Sequence, residues 1–256
     1  MKHGDFTELA EDYANNRAAY SPLVRDALMA LPQRKFSDLE VADIGAGTGI
    51  WTRMMADAKL ASIVGVEPNI AMRALGESNI EFPAIQWKAG RGETSGLNDD
   101  SLDLVTMASS FHWTETKLAL QEFARILRPG GWFAALWNTR YLQANPMLVE
   151  IEAEIQKIVP ELERISSGRS QFTENLPQIF YNNPQFEGTL YIEGFHVEKL
   201  SRERYIGLWH SVNDIQVQAG PDRFAQFIQF VEKRLAQEPV VEATYQTRAW
   251  AARRKK

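Results

Sequence analysis

The sequence contains no cysteine, which excludes disulfides, thiolate metal sites and a cysteine nucleophile together. A chain without disulfides suits a reducing compartment, so the cytoplasm is the expected location. No apolar run approaches the roughly 18 residues of a membrane span, and Met1-Lys2-His3-Gly4-Asp5 does not lead into the apolar core of a signal peptide. Histidine is scarce. His3, His112, His196 and His210 are scattered, with no His-x-x-x-His pair, so no metal is expected. Positive charge is also in deficit: 28 Lys and Arg face 33 Asp and Glu, and the net −5 argues against a broad nucleic-acid footprint. The basic end, Arg253-Arg254-Lys255-Lys256, reads as a solvated tail. Internal repeats, low-complexity tracts and a Ser/Gly-rich linker are all missing. The 256 residues are therefore expected to form one domain with an elaboration.

What is present is an alternation of apolar runs and helical patterns. Ser21-Pro22 reads as a cap and first-turn proline for a helix carrying Leu23, Val24, Ala27, Leu28 and Leu31. Candidate strands follow at Leu39–Ile44, Ser62–Glu67, Ala84–Ala89, Leu102–Ala108 and Trp132–Asn138. A helix over Glu115–Arg128 shows an apolar stripe of Ala119, Phe123, Ile126 and Leu127, with Thr114 as its expected cap and Pro129-Gly130-Gly131 as its stop. Near-continuous apolar strands separated by helices predict a doubly wound, mostly parallel α/β sheet. Beyond Asn138 the pattern turns helical at 146–159, 202–211 and 221–237, with two more strands at 189–196 and 240–252, giving seven in all. Residues 1–35 and roughly 141–237 are expected to contribute a helical cap over the C-terminal edge of the sheet.

The chemistry-bearing stretch is Asp43-Ile44-Gly45-Ala46-Gly47-Thr48-Gly49, with Glu67 closing the next apolar run. Glycines let the backbone turn tightly and approach a ligand, a helix N-terminus lies behind them, and an acid some twenty residues on suits a ribose diol. An adenosine-bearing cofactor is therefore expected. The spacing is Gly-x-Gly-x-Gly, and Ile50 stands where a dinucleotide fingerprint would place its third glycine.

The surrounding residues resemble the class I S-adenosylmethionine-dependent methyltransferases, in particular the small-molecule branch that includes trans-aconitate methyltransferase. The likeness runs through Val41 to Gly49, Val64-Gly65-Val66-Glu67-Pro68 with Met72, and Gly90-Arg91-Gly92-Glu93 with Asp99 to Val105. It continues in Phe111-His112-Trp113, Arg128-Pro129-Gly130-Gly131, Trp137-Asn138 and the N-terminal Tyr13-x-x-x-Arg17-x-x-Tyr20-x-Pro22. The resemblance implies a Rossmann-like methyltransferase fold, S-adenosylmethionine as cofactor and S-adenosylhomocysteine as product. It implies Gly45 and Gly47 under the methionine and ribose, Glu67 on the ribose hydroxyls with Pro68 beside it, and Met72 against the adenine. Gly92 and Glu93 would flank the adenine edge, where Arg91 replaces the usual acidic residue, and Ser109 would lie near the methionine end. Arg17 would pair with the cofactor carboxylate or an acidic substrate.

Displacement of a methyl group from a sulfonium needs positioning and exclusion of water more than proton transfer. A carboxylate acceptor is already ionised at neutral pH, and Arg17 or Arg140 would fix it. A hydroxyl acceptor needs a base, for which His112, just past the fourth strand, is the catalytic candidate. The aromatic residues Tyr13, Tyr20, Trp113, Trp137 and Trp209, together with His210, are the candidate substrate contacts. The expectation is an enzyme that methylates a small molecule at oxygen, with no nucleic-acid or membrane partner; subunit number is open. The rivals are a non-catalytic cofactor sensor or assembly subunit, and a nicotinamide-dependent oxidoreductase.

Overall fold

Seven strands, Glu40–Ile44 (β1), Ser62–Val66 (β2), Ile85–Lys88 (β3), Leu102–Ala108 (β4), Leu127–Arg140 (β5), Phe186–Ser201 (β6) and Val240–Arg254 (β7), form one sheet ordered β3-β2-β1-β4-β5-β7-β6. The structure is a computed structural model describing residues 6–163 and 168–256. The first five strands are parallel, and β7 is antiparallel to both β5 and β6. This is the mixed, mostly parallel arrangement that the alternation of patterns predicts. All of β4 except its last residue is buried, which explains its unbroken apolar run: helices cover both faces.

The helices are Ala10–Asn16 (α1), Pro22–Ala30 (α2), Ile50–Ala56 (α3), Ile70–Glu77 (α4), Thr116–Ile126 (α5), Pro146–Ile158 (α6), Gln171–Glu174 (α7), Leu176–Tyr181 (α8), Arg202–His210 (α9) and Asn213–Arg234 (α10). On one face of the sheet, Val24, Leu28 and Met29 of α2 join Trp51 and Met55 of α3 against Val41, Leu104 and Leu136. On the other, Ala119, Leu120 and Phe123 of α5 and Leu176 and Phe180 of α8 pack against Val105, Phe133 and Ala135. A third apolar cluster lies at the ends of β5, β6 and β7. There Ile151 and Ile155 of α6, Tyr205 and Trp209 of α9, and Ile215, Phe227 and Val231 of α10 gather around Leu200, Val241 and Tyr245. Within 141–237, then, α6, α9 and α10 make this separate cluster. The segment 171–181 packs on the sheet, and 186–201 is a strand of it.

Several local expectations give way to tertiary pairing. Glu115 caps α5, its carboxylate accepting from the backbone of Lys117 and Leu118, while the Thr114 hydroxyl bonds back to Phe111 O. Arg128-Pro129-Gly130-Gly131 does not simply stop the helix. It is the irregular start of β5, where the register against β4 shifts between Leu102 and Leu104. The helix expected at 221–237 is the second half of α10. Gly220, at φ +70°, breaks the helix, and Pro221 restarts it, because proline fits a first turn where no N–H donor is needed. The result is a longer element beginning at Asn213, packed against α6 and α9.

Candidate active site

The turn after β1 carries three glycines in the left-handed region, Gly45 at +69°, Gly47 at +58° and Gly49 at +85°. A Cβ on Gly45 would fall 2.7 Å from the Ser110 side chain, so this turn needs glycine for both conformation and space. The N–H groups of Gly45 and Ala46 bond to Val66 O at 2.8 and 3.1 Å, which pins the turn to the end of β2. Directly after β2, Glu67 is 7% exposed. Its two carboxylate oxygens accept from the N–H of Gly47 and of Asn69, each at 2.8 Å. Burial pushes this carboxyl up, and the two backbone bonds and nearby Arg73 pull it back. A carboxylate offers about four acceptor positions. Two are used by the backbone, so Glu67 is fixed in place with capacity left for two further donors.

Asp43 has a different task from bonding the turn's backbone. It is fully buried and accepts from the hydroxyls of Thr52 (2.6 Å) and Thr106 (3.3 Å), tying α3 to β4 behind the turn. Burial raises its pKa to about 7, opposed by those hydroxyls. Asn69 caps α4 through Met72 N at 3.1 Å, and this holds Met72 facing Gly47. Glu93 accepts from Glu115 N at 2.7 Å, so it anchors its loop to the start of α5. Arg91 pairs only its backbone, with Thr94, and its side chain is exposed.

These groups line one cavity of about 430 Å³, within the usual range for small-molecule sites. Arg17, Gly45, Gly47, Glu67, Pro68, Met72, Gly92, Glu93 and Ser109 all lie on its wall, as do Tyr13, Tyr20, Trp113 and Trp137. Ser109 takes φ +55°, an uncommon conformation for a residue with a side chain, and its hydroxyl meets Tyr20 Oη at 3.1 Å. Trp209 and His210 do not reach the wall. Trp209 is fully buried in the cap cluster, edge-on to Phe227, and His210 packs edge-on against Phe224. A helical face that looks free in sequence is here consumed by packing of α9 on α10.

His112 also sits behind the wall. Its ring is held between Trp113 and Trp137, with centroids 4.5 and 6.0 Å away, and Nδ1 accepts from Trp137 Nε1 at 3.3 Å. That bond leaves the proton of the neutral ring on Nε2. Burial lowers the pKa to about 4, with Asp214 opposing the shift. In this geometry Nε2 is buried and has no hydrogen-bond partner among the described residues.

The far end of the cavity is built from residues distant in sequence: Asn138, Thr139 and Arg140 at the end of β5, Tyr245 of β7, Leu208 of α9, and Val212, Asn213 and Asp214 at the start of α10. Neither Tyr245 nor Asp214 carries a sequence signal, since only the β5–β7 pairing and the break at Gly220 bring them here. Asn138 had one, standing beside Trp137. It locks the N-terminal segment over the site by donating to Ala19 O (2.6 Å) and accepting from Thr247 (2.8 Å). Among the described residues, no group of three or more acidic or histidine side chains is placed to hold a metal ion.

Residues 42–135 match the methyltransferase domain family, and their boundaries enclose the β1 turn, the Glu67 clamp and β4. Over this segment the chain is similar to methyltransferase domains. An uncharacterized methyltransferase of Mycobacterium tuberculosis is 35% identical over 128 residues, 50% of this chain and 49% of that protein. The chain thus matches about half the length of that relative. An uncharacterized methyltransferase of Schizosaccharomyces pombe is 25% identical over 88% of this chain and 86% of its own. Among solved structures, a protein described as a type II methyltransferase from Anaeromyxobacter dehalogenans superposes with TM-score 0.65 at 20% identity. The superposition covers 93% of this chain and 97% of that one, and it shows the shared fold.

The cofactor of that family, S-adenosylmethionine, fits the residues present. Glu67 keeps acceptor capacity for a diol. A Cβ on Gly47 would stand 3.3 Å from Met72 Cε, so the bare backbone of the turn and the Met72 thioether lie side by side on one wall of the cavity. No phosphate-binding feature is required, in keeping with the Gly-x-Gly-x-Gly spacing.

Proposed function

We propose that the chain transfers the methyl group of S-adenosylmethionine to an oxygen atom of a small molecule enclosed beneath α6, α9 and α10. The observation that carries this reading is the continuity of one cavity from the Gly45–Glu67 clamp to a separate polar end at the cap. A cofactor alone accounts for the first end and leaves the second without a purpose. When bound, S-adenosylmethionine supplies a methyl group on a sulfonium, which departs as the neutral sulfide of S-adenosylhomocysteine while the new O–C bond forms.

The protein's part is then positioning and exclusion of water. Glu67 and the glycine turn fix the donor. Tyr20 is nearly buried, with its hydroxyl on Ser109 and its ring edge-on to Trp51, and forms a rigid wall at the junction of the two ends. Tyr13 and Trp113 close the side toward α1 and the start of α5. A carboxylate acceptor attacks without losing a proton. A hydroxyl acceptor must release one, and the Asp214 carboxylate on the cavity wall is better suited to receive it than His112, whose Nδ1 is already engaged. His112 is instead a neutral ring that backs the wall between two tryptophans.

The test is incubation with methyl-labelled S-adenosylmethionine and a metabolite extract, followed by separation of labelled products. Label in small molecules supports the proposal. Label confined to protein or nucleic acid overturns the small-molecule acceptor. Tight S-adenosylhomocysteine binding with no labelled product from any extract favours a sensor.

A further inference from the structure

The cap end of the cavity has an excess of hydrogen-bond donors without partners. Tyr245 is 4% exposed, yet its hydroxyl has no hydrogen-bond partner among the described residues, and the same holds for Thr139 Oγ1 and Arg17 Nε. All three residues line this cavity. Arg140, with a side chain 9% exposed, is barely satisfied: its two best contacts, to Tyr205 Oη and Glu152 Oε2, are both at 3.5 Å, and its guanidinium plane lies 4.2 Å from the Trp209 ring centre. Arg17 spends one nitrogen on Ser211 O at 2.9 Å and rests over Tyr13. Buried polar groups are normally paired, and an unpaired one costs about 1–3 kcal/mol. A buried guanidinium with five donors and only long contacts costs more.

Tyr245, Thr139 and Arg17 can each donate, and Arg17 and Arg140 carry positive charge. We propose that Arg140, Tyr245 and Thr139, with Arg17 at their border, form a subsite for an anionic oxygen group, a carboxylate or a phosphate, on the methyl acceptor. This rests on the methyltransferase reading of the same cavity. An oxyanion gripped by guanidinium groups has its charge neutralised and its lone pairs occupied, which makes it a poor nucleophile. The anion is therefore the handle, and the methyl group goes to another atom of the same molecule. The acceptor class is a small molecule bearing both an anionic group and a separate nucleophile.

The experiment is calorimetric titration with acetate and with inorganic phosphate, each with and without saturating S-adenosylhomocysteine. Measurements cover the wild-type chain and the Tyr245→Phe and Arg140→Gln variants. Binding of acetate or phosphate alongside S-adenosylhomocysteine, weakened about tenfold in each variant, is the expected result; which anion binds tells carboxylate from phosphate. Tyr245→Phe removes an oxygen with no partner among the described residues, so its stability is expected to equal or exceed wild type, and a merely structural role would leave anion binding unmoved. Failure of both anions to bind, or binding insensitive to both variants, overturns the subsite. Strict competition with S-adenosylhomocysteine also overturns it, because the donors would then serve the cofactor's own carboxylate. Failure of S-adenosylhomocysteine itself to bind is a separate outcome and removes the underlying reading.

Discussion

The two ends of the cavity are built on opposite terms. At the glycine-turn end, the polar side chains are tied to backbone nearby in the fold: Glu67 to Gly47 and Asn69, Ser110 to Ile44, Glu93 to Glu115. At the cap end, Tyr245, Thr139, Arg17 and Arg140 face the same space with donors unspent or poorly spent. At the first end the ligand-facing groups are held in place by backbone bonds before any ligand arrives, which suits an invariant donor molecule. The second is unfinished, and its cost is recovered when an acceptor supplies what is missing. On the proposed reading, the preorganised end holds the cofactor and the underpaired end selects the acceptor.

The contrast can be broken most severely at Glu67. Glu67→Ala removes the diol acceptor and strands two backbone donors. S-adenosylhomocysteine affinity is expected to fall by two to three orders of magnitude, about 3–4 kcal/mol by calorimetry, without loss of anion binding at the cap. The junction between the ends responds to acid. His112 stays neutral in the fold down to a pKa of about 4, against an ordinary 6.5. The unfolded chain therefore binds the extra proton first as pH drops. Stability is complete above pH 6.5 and decreases as pH falls toward 4, by about 3 kcal/mol. In His112→Asn that component is absent from urea unfolding curves. Comparing the two proteins isolates the ring from Asp43, whose pKa, raised to about 7, acts in the opposite sense over the same range.

A smaller effect sharpens the geometric half of the contrast. Gly45→Ala combines a positive φ with a 2.7 Å approach to Ser110. It is expected to cost about 2 kcal/mol of stability, seen as a lowered melting temperature together with weaker S-adenosylhomocysteine binding. The mildest is Glu115→Ala, which removes the α5 cap for about 1 kcal/mol and is expected to leave ligand affinity at both ends within twofold.

The glycine-turn end was legible because it is local in sequence. Twenty-four residues, from Asp43 to Val66, hold the strand, turn, helix and next strand, and Glu67 follows directly. Periodicity alone separates β from α there, and the glycine spacing marks the turn. The cap end was not legible for the converse reason. Its wall draws on α1, β5, α9, α10 and β7, and no pattern in 202–211 distinguishes the buried Trp209 from a residue facing a ligand. The apolar spacing of α9 shows that one side is covered and leaves open by what. His112 lies between these cases: its place after β4 could be read, whereas its partner Trp137, which decides its tautomer, comes from the neighbouring strand.

By itself the amino-acid order determined the strand–helix alternation, the left-handed glycine turn and the acid that faces it, since each depends on backbone sterics and contacts within a few tens of residues. Tertiary structure alone decided the antiparallel β7 between β5 and β6, the break at Gly220 and the meeting of Arg140 with Tyr245. Those require distant segments to compete for the same neighbours, and the winner is set by how well three apolar clusters fill space together.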